Sequence, residues 1–599
     1  MAQTVGDYLL QRLREWGVEQ VFGYPGDGIN GIIASFGRAE NQPEFVQARH
    51  EEMAAFSAVG YAKFSGRVGV CMATSGPGAI HLLNGLYDAK LDHAPVVAIV
   101  GQTARSAMGG SYQQEVDLQS LLKDVAAEYL VEVNVPAQLP NALDRAIRVA
   151  EATHSPTALI IPADLQEEDY SPPEHAFKQV PSSQPGTAWG TAVPAAAELE
   201  ATAELINAGH KVAILAGQGA RGAADEVRQL AELTGAGVAK ALLGKDVLPD
   251  DLPYVTGAIG LLGTRASYEL MRDCDTLVMI GSNFPYTQFL PDLDQARAVQ
   301  IDLDGRFIGM RYPTEINLVG DSRATLQALL PLIEKKSDRS WQQTVEKRVS
   351  DWWNSVDHET ATQADPINPM RIVSELSERL PDNAMITADS GSSTNWYARN
   401  LKIKDGVRSS LSGTLATMGP AVPYAIGAKF AHPDRPVIAL VGDGSMQMNG
   451  MAELITISRY AREWSNPCCV ICVFHNNDLN QVTWELRSMS GAPKFVESQS
   501  LPDVDYAGFA RSLGLQAEAI DDPDKLGPAW ERALDAQGPA VLDIRCDPEV
   551  PPIPPHATFD QMKETARSLL KGDPNALHVM MQGAKTKLQE LRPDRGASR

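Results

Sequence analysis

The sequence predicts an α/β protein of three doubly wound parallel-sheet domains followed by a C-terminal tail. Three observations carry this. Short apolar β-branched runs alternate with amphipathic helical patterns in three separate stretches, as parallel strands covered by helices require. Proline-rich or polar segments separate those stretches. A chain of 599 residues also exceeds what one hydrophobic core organises, so about three or four domains are expected.

The first domain is read as residues 1–175, with strands at Val68–Ala73, Ala94–Gly101 and Thr157–Pro162 and a helix over Glu51–Phe64. A linker follows, where Pro172, Pro173, Pro181, Pro185 and Pro194 deny ladder hydrogen bonds and stiffen the chain. The central domain spans 190–335, with strands at Lys211–Ala216, Asp275–Gly281 and Ala298–Asp302. A polar, Trp-bearing segment leads to the third domain, 366–547, with strands at Arg435–Gly442, Cys468–Phe474 and Pro539–Ile544. The tail, 548–599, opens on Pro551, Pro552, Pro554 and Pro555 and closes on helical patterns.

Composition narrows the function classes. Lys and Arg number 52 against 75 Asp and Glu, a net charge of −23. That argues against a nucleic-acid binder, which needs a basic face to displace counterions, and against broad docking on anionic lipid. No run approaches the ~18 apolar residues that span a bilayer. The first twenty residues lack the apolar core of a signal peptide. Six cysteines make no disulfide framework, so a reducing, cytoplasmic setting is expected.

Chemistry concentrates in the third domain. Gly442-Asp443-Gly444-Ser445 follows one strand, and His475-Asn476-Asn477-Asp478 ends the next. Adjacent parallel strands bring both to one crevice. The Asp443 carboxylate, the Asn476 amide oxygen and a backbone carbonyl, completed by diphosphate oxygens and water, make the octahedral oxygen set that Mg²⁺ requires. Either motif alone is a common turn or loop. Their order on successive strands is what gives them weight.

These residues resemble the thiamine diphosphate-dependent enzyme family. Arg49-His50-Glu51-Glu52 resembles the start of its helix bearing the cofactor-activating glutamate, and Ser75-Gly76-Pro77-Gly78 with His81-Leu82-Leu83-Asn84 its next loop and helix. Thr417-Met418-Gly419 resembles the segment that bends the cofactor. Asn283-Phe284-Pro285-Tyr286, Gln300-Ile301-Asp302, Leu318-Val319-Gly320-Asp321 and Ile553-Pro554-Pro555 are most similar to the pyruvate oxidase, or quinone-dependent pyruvate dehydrogenase, branch. Acetolactate synthase is a more distant relative.

The resemblance implies a role for each position. Glu51 is the acid on the pyrimidine ring, Met418 the wedge under the cofactor's hinge, and Asp443, Asn476 and the Asp478 carbonyl the Mg²⁺ ligands. Gly76, Gly391, Ser392, Ser393, Gly442, Gly444, Ser445 and Met446 complete the cofactor site. The gap from Asp443 to Asn476 is 33 residues, several longer than the family's, and a register shift of one makes Asn477 the ligand instead. The implied reaction is decarboxylation of a pyruvate-like 2-oxo acid, with oxidation through FAD to a quinone or other acceptor. The alternative is a non-oxidative carboligase or decarboxylase of the acetolactate synthase type. A homodimer or homotetramer with sites between subunits follows from the same resemblance.

Gly217-Gln218-Gly219-Ala220-Arg221-Gly222 has the form G-x-G-x-x-G, but Ala239-Lys240-Ala241 stands where a dinucleotide site places its ribose-binding acid. In oxidase relatives the central domain binds FAD, and Gly217, Gly219, Lys245, Gly260, Asn283, Asp302 and Asp321 fall in the matching segments. A central domain that keeps its loops without flavin is the competing reading. Gln113 stands where relatives carry Phe over the reacting carbons, which puts pyruvate itself in doubt, and Glu485 matches a glutamate near the substrate. Cys468, Cys469, Cys472 and His475 mimic metal-ligand spacing, yet they sit in an apolar strand and read as core. His578–Leu588 carries Lys585 and Lys587 on a short amphipathic pattern, suited to contact with the inner membrane face or to a helix lying over the active site.

Overall fold

The computed structural model describes residues 3–552 and 559–582. It contains three six-stranded sheets in which every strand pair is parallel. The first sheet holds β1 (Gln20–Gly23), β2 (Glu44–Gln47), β3 (Gly69–Ala73), β4 (Val96–Gln102), β5 (Leu130–Glu132) and β6 (Pro156–Pro162). The second holds β7 (Val212–Ala216), β8 (Gly237–Lys240), β9 (Val255–Ala258), β10 (Thr276–Ile280), β11 (Arg297–Asp302) and β12 (Ile316–Val319). The third holds β13 (Met385–Ala388), β14 (Arg408–Leu411), β15 (Val437–Gly442), β16 (Cys469–His475), β17 (Gln516–Ile520) and β18 (Ala540–Arg545).

The strand runs read from the sequence all lie in these sheets. Their interiors are wholly buried, as in β4 and β16, because helices cover both faces of a parallel sheet. The first and third sheets share one topology, β2-β1-β3-β4-β6-β5 and β14-β13-β15-β16-β18-β17. The central sheet runs β12-β11-β10-β7-β8-β9. The Trp-bearing segment folds as the helix Ser340–Thr360, whose Trp341 indole donates to the Val212 carbonyl at 2.9 Å.

The first and third domains pack through the helices Glu51–Ser65 and Ala421–Ala431. Gly60 and Gly427 make this contact possible. A Cβ on Gly60 falls 2.7 Å from Tyr424 Cα, and one on Gly427 falls 2.2 Å from the Ser57 carbonyl oxygen. Beside the contact, Lys63 Nζ is buried and donates to Asp92 at 2.7 Å, to the Leu411 carbonyl at 2.8 Å and to Tyr424 Oη at 2.7 Å. Among the described residues no helix is long and apolar enough to cross a membrane.

Candidate active site

Parallel doubly wound sheets open a crevice where the strand order reverses, beyond the carboxyl ends of the strands. In the third sheet that point lies between β13 and β15, with β16 next in line. The loops leaving these strands are the ones that bear Gly391, Asp443 and Asn476.

Gly391 has φ +118° and caps the helix Ser392–Arg399, and a Cβ on it would meet nothing within 4 Å. A Cβ on Gly442 would likewise meet open space. Backbone therefore borders open space at both loops, as a phosphate-binding crevice needs. Ser393 spends its hydroxyl on the Asp389 carbonyl at 3.1 Å, while Ser392 is half-buried. Met446 is fully buried, so only its backbone remains for a ligand.

Asp443 is buried and accepts three backbone N–H bonds: Gly444 at 2.9 Å on Oδ1, and Asn476 at 2.8 Å and Asn477 at 2.5 Å on Oδ2. A carboxylate offers about four lone-pair positions, so one is left for a cation. Burial pushes its carboxyl up to about 6, against the pull of the backbone donors. Asn476 Oδ1 accepts from the Asp478 N–H at 3.0 Å. The Asp478 side chain is committed elsewhere, to Lys494 at 2.8 Å and Thr483 at 2.9 Å, which leaves its backbone carbonyl as the candidate ligand. The donors are all oxygens, and that set fits Mg²⁺. Met418 borders the same segment: a Cβ on Gly444 falls 3.7 Å from its Cε.

Sequence reasoning missed the residue that ties these loops together. Asp389, at the end of β13, is fully buried. Its Oδ1 accepts from Gly419 N at 2.8 Å and Ser445 Oγ at 2.9 Å, and its Oδ2 from Ala421 N at 3.2 Å. One carboxylate thus joins the Gly391, Met418 and Asp443 loops. Its only sequence signal was an acid directly after a strand and two residues before a glycine.

In the first domain, Glu51 opens its helix and is buried. Its Oε2 lies 3.0 Å from His81 Nδ1. The His81 ring lies 4.3 Å from that of His50, and His50 Nδ1 accepts the Glu52 N–H at 3.2 Å. These three form the one His/Cys/Asp/Glu group among the described residues compact enough for a metal. With the His50 Nδ1 lone pair already used, the group reads as a hydrogen-bonded setting for Glu51. Gly76 has φ +60° and lies under Gln114, while a Cβ on Gly78 falls 3.2 Å from Glu51 Oε1. The neighbours of Glu51 reach the third domain: Asn84 donates to Thr417 Oγ1 at 3.0 Å, and Arg49 N to Glu453 Oε1 at 2.7 Å. Gln113 and Glu485 are both exposed. Asn395 donates to Gln481 Oε1 at 2.7 Å, and Gln481 to Glu485 at 2.9 Å.

The central crevice lies between the ends of β7 and β10. Gly217 and Gly219 are required there by packing: their Cβ atoms would fall 2.2 Å from the Gly281 carbonyl oxygen and 2.8 Å from Gly281 Cα. Gly260 has φ +104° beside Phe284. Asn283 accepts from Arg311 Nε at 3.2 Å. Asp302 accepts from Asp304 N at 3.0 Å, and Asp321 caps the next helix through Ala324 N at 2.8 Å. Leu303 and Val319 stand 54% and 49% exposed beside them. Lys245 follows Gly244, which packs against Gly217, but its side chain turns away from the crevice loops to other partners. It is buried, and its ammonium donates to Asp250 at 3.3 Å and to the Ala398 and Leu401 carbonyls at 3.2 and 2.9 Å, so it ties the central domain to the third. The cysteine decoy also resolves as core: Cys469 and Cys472 are fully buried, and burial pushes the Cys469 thiol up to about 12.

The chain matches models of the N-terminal thiamine pyrophosphate (diphosphate) binding domain over 3–121, the central domain over 199–329 and the C-terminal binding domain over 389–544. It belongs to the thiamine pyrophosphate enzyme family. A Bacillus subtilis protein described as thiamine pyrophosphate-containing is 37% identical over 570 residues, 95% of this chain and 96% of the relative. Pyruvate oxidase of Lactiplantibacillus plantarum is 28% identical over 546 residues, 90% of this chain and 88% of its own. The large subunit of acetolactate synthase isozyme 1 of Escherichia coli is 28% identical over 571 residues, 93% and 97%. The two binding-domain matches fall on the sheets that carry Glu51 and Asp443. In this thiamine pyrophosphate enzyme the central match falls on the sheet with the Gly217–Gly281 crevice.

Proposed function

We propose that the protein decarboxylates a 2-oxo acid with thiamine diphosphate and Mg²⁺, and passes two electrons through FAD to a quinone or other acceptor. The observation that carries the thiamine part is Asp443, with three backbone donors and one open lone-pair position at the switch point of the third sheet. Asp443, Asn476 and the Asp478 carbonyl are the residues to hold Mg²⁺, and the backbone at Gly391, Ser392, Gly442, Gly444 and Ser445 is the cradle for the diphosphate. When bound, the cofactor supplies a carbon nucleophile and an electron sink for the departing carboxyl group. Glu51 holds a proton at the pyrimidine nitrogen, and Met418 props the bent form.

Both halves of the site are open in one chain, since Gln113 and Glu485 are exposed. This supports assembly into a dimer or tetramer in which Glu51 of one subunit serves the Mg²⁺ site of another. The flavin part rests on the exposed Leu303 and Val319 beside Asp302 and Asp321, which suit the flat ring and ribose of a nucleotide. Leu577, Met580 and Met581 are also exposed, which supports surface contact of the tail with a membrane. Lys585, Lys587 and the Ile553 motif lie outside the described residues.

Non-oxidative carboligation of the acetolactate synthase type is the second reading. It is favoured by the amide Gln113 where relatives carry Phe, and by the commitment of the Lys245 ammonium to the domain interface. The test is a spectrum of the purified protein while pyruvate and longer 2-oxo acids are added in turn. Flavin absorbance that bleaches with substrate supports the oxidase. A chiral hydroxyketone product without bleaching supports the carboligase.

A further inference from the structure

The side chain that ends β16 is a histidine, directly before the pair Asn476-Asn477. His475 is 1% exposed. Its Nδ1 donates to Asp543 Oδ1 on the neighbouring β18 at 2.7 Å, and its Nε2 faces Asn477 Oδ1 at 2.8 Å and Asp503 Oδ1 at 3.2 Å. The Tyr506 ring packs edge-on at 4.9 Å and closes the remaining side. The imidazole is thus held on both nitrogens and on its edge, so its position is set by the sheet.

What it holds is the turn beyond it. Asn477 adopts φ +55°, a left-handed conformation that asparagine tolerates better than most residues. In that conformation its side chain turns back toward His475 while its N–H points at Asp443 Oδ2. Asn476, one residue earlier, keeps its amide oxygen on the Asp478 N–H in a tight turn. The two asparagines are therefore unequal. One is captured by the histidine; the amide oxygen of the other takes a single hydrogen bond, from the Asp478 N–H, and its own backbone N–H meets Asp443 Oδ2.

We propose that His475 is a positioning residue that selects Asn476 as the side-chain metal ligand: by capturing the Asn477 amide oxygen against the Asp543-anchored imidazole, it sets the turn that aims two backbone N–H groups at Asp443. This rests on the reading of Asp443 and Asn476 as the Mg²⁺ site. Groups that orient metal ligands change metal affinity by about 10–100-fold when removed.

The test is titration of the full-length apoprotein with Mg²⁺ at saturating thiamine diphosphate, followed by protein fluorescence and by heat of binding. His475→Ala and Asn477→Ala are each expected to weaken Mg²⁺ binding about 10-fold or more. The double variant should be no weaker than the worse single one, because the two act as one relay. Asn476→Ala should weaken binding more than either. His475→Asn, which keeps a short hydrogen-bonding side chain at the strand end, should recover part of the affinity and gives a folded readout if His475→Ala does not fold. Unchanged Mg²⁺ affinity in folded His475→Ala or His475→Asn together with Asn477→Ala overturns the proposal. So does loss of binding in Asn477→Ala with none in Asn476→Ala. Failure of the wild-type protein to bind Mg²⁺ with thiamine diphosphate would instead overturn the underlying site.

Discussion

Asp389 and Ser445 are joined by a buried 2.9 Å hydrogen bond between the ends of two adjacent strands. The same carboxylate oxygen takes the Gly419 N–H, so the loops proposed to hold the diphosphate, the wedge and the metal share one anchor. Asp389→Ala strands three buried donors, which costs about 1–3 kcal/mol for each left without a partner. The expected outcome is a lower melting temperature and a weaker thiamine diphosphate affinity together. Calorimetry and a cofactor titration check it, and loss of stability alone would reduce Asp389 to a fold residue.

Glu51→Gln keeps the size of the side chain and an oxygen for His81, but removes the carboxyl proposed to exchange a proton with the pyrimidine. Turnover should fall about 10²–10⁴-fold, the range for a positioned acid–base group. Cofactor binding should change far less. Steady-state rates and a binding isotherm separate the two.

Glu453 gives the stability a pH dependence. It is fully buried, and burial pushes its carboxyl up to about 7 from an ordinary 4.5, against the Arg49 N–H that favours the charged form. The folded state therefore holds a proton that the unfolded chain releases. This contribution is present below pH 4.5 and is lost as pH rises through about 7. Glu453→Gln should remove that slope and make the variant more stable than wild type at pH 8, by at most ~3 kcal/mol. Paired melting curves from pH 5 to about pH 8 test the sign; parallel curves for the two proteins would refute it.

Arg487 fastens the tail to the helix Asn480–Ser490. Fully buried, it donates to Asp573 at 2.9 Å through two nitrogens and to Glu549 at 2.7 Å. Removing one member of a buried ion cluster costs about 3–5 kcal/mol, because the others are left charged and unpaired. Arg487→Ala should release residues 573–582 to limited proteolysis before the rest of the protein unfolds. A cleavage pattern identical to wild type would show that other contacts hold the tail.

The strands, the three-sheet architecture and the Gly442-Asp443-Gly444 and Asn476 motifs were legible because each is a local pattern. An apolar run reads as a buried strand wherever it lies, and a glycine-flanked acid at a strand end carries its geometry with it. Asp389 was not legible: its partners Gly419, Ala421 and Ser445 come from other loops, and no spacing rule connects them. The partners of the Lys245 ammonium were not legible for the same reason, since Asp250, Ala398 and Leu401 are brought together only by domain packing.

The amino-acid order by itself determined where strands end and which residues emerge there, because backbone periodicity and glycine conformations are properties of a few neighbours. Tertiary structure decided which of those residues are free to act. A buried polar atom must be satisfied by whatever the fold places beside it, and so Asn477 goes to His475 and Lys245 to Asp250, while Asp443 and Asn476 each keep acceptor capacity to spare.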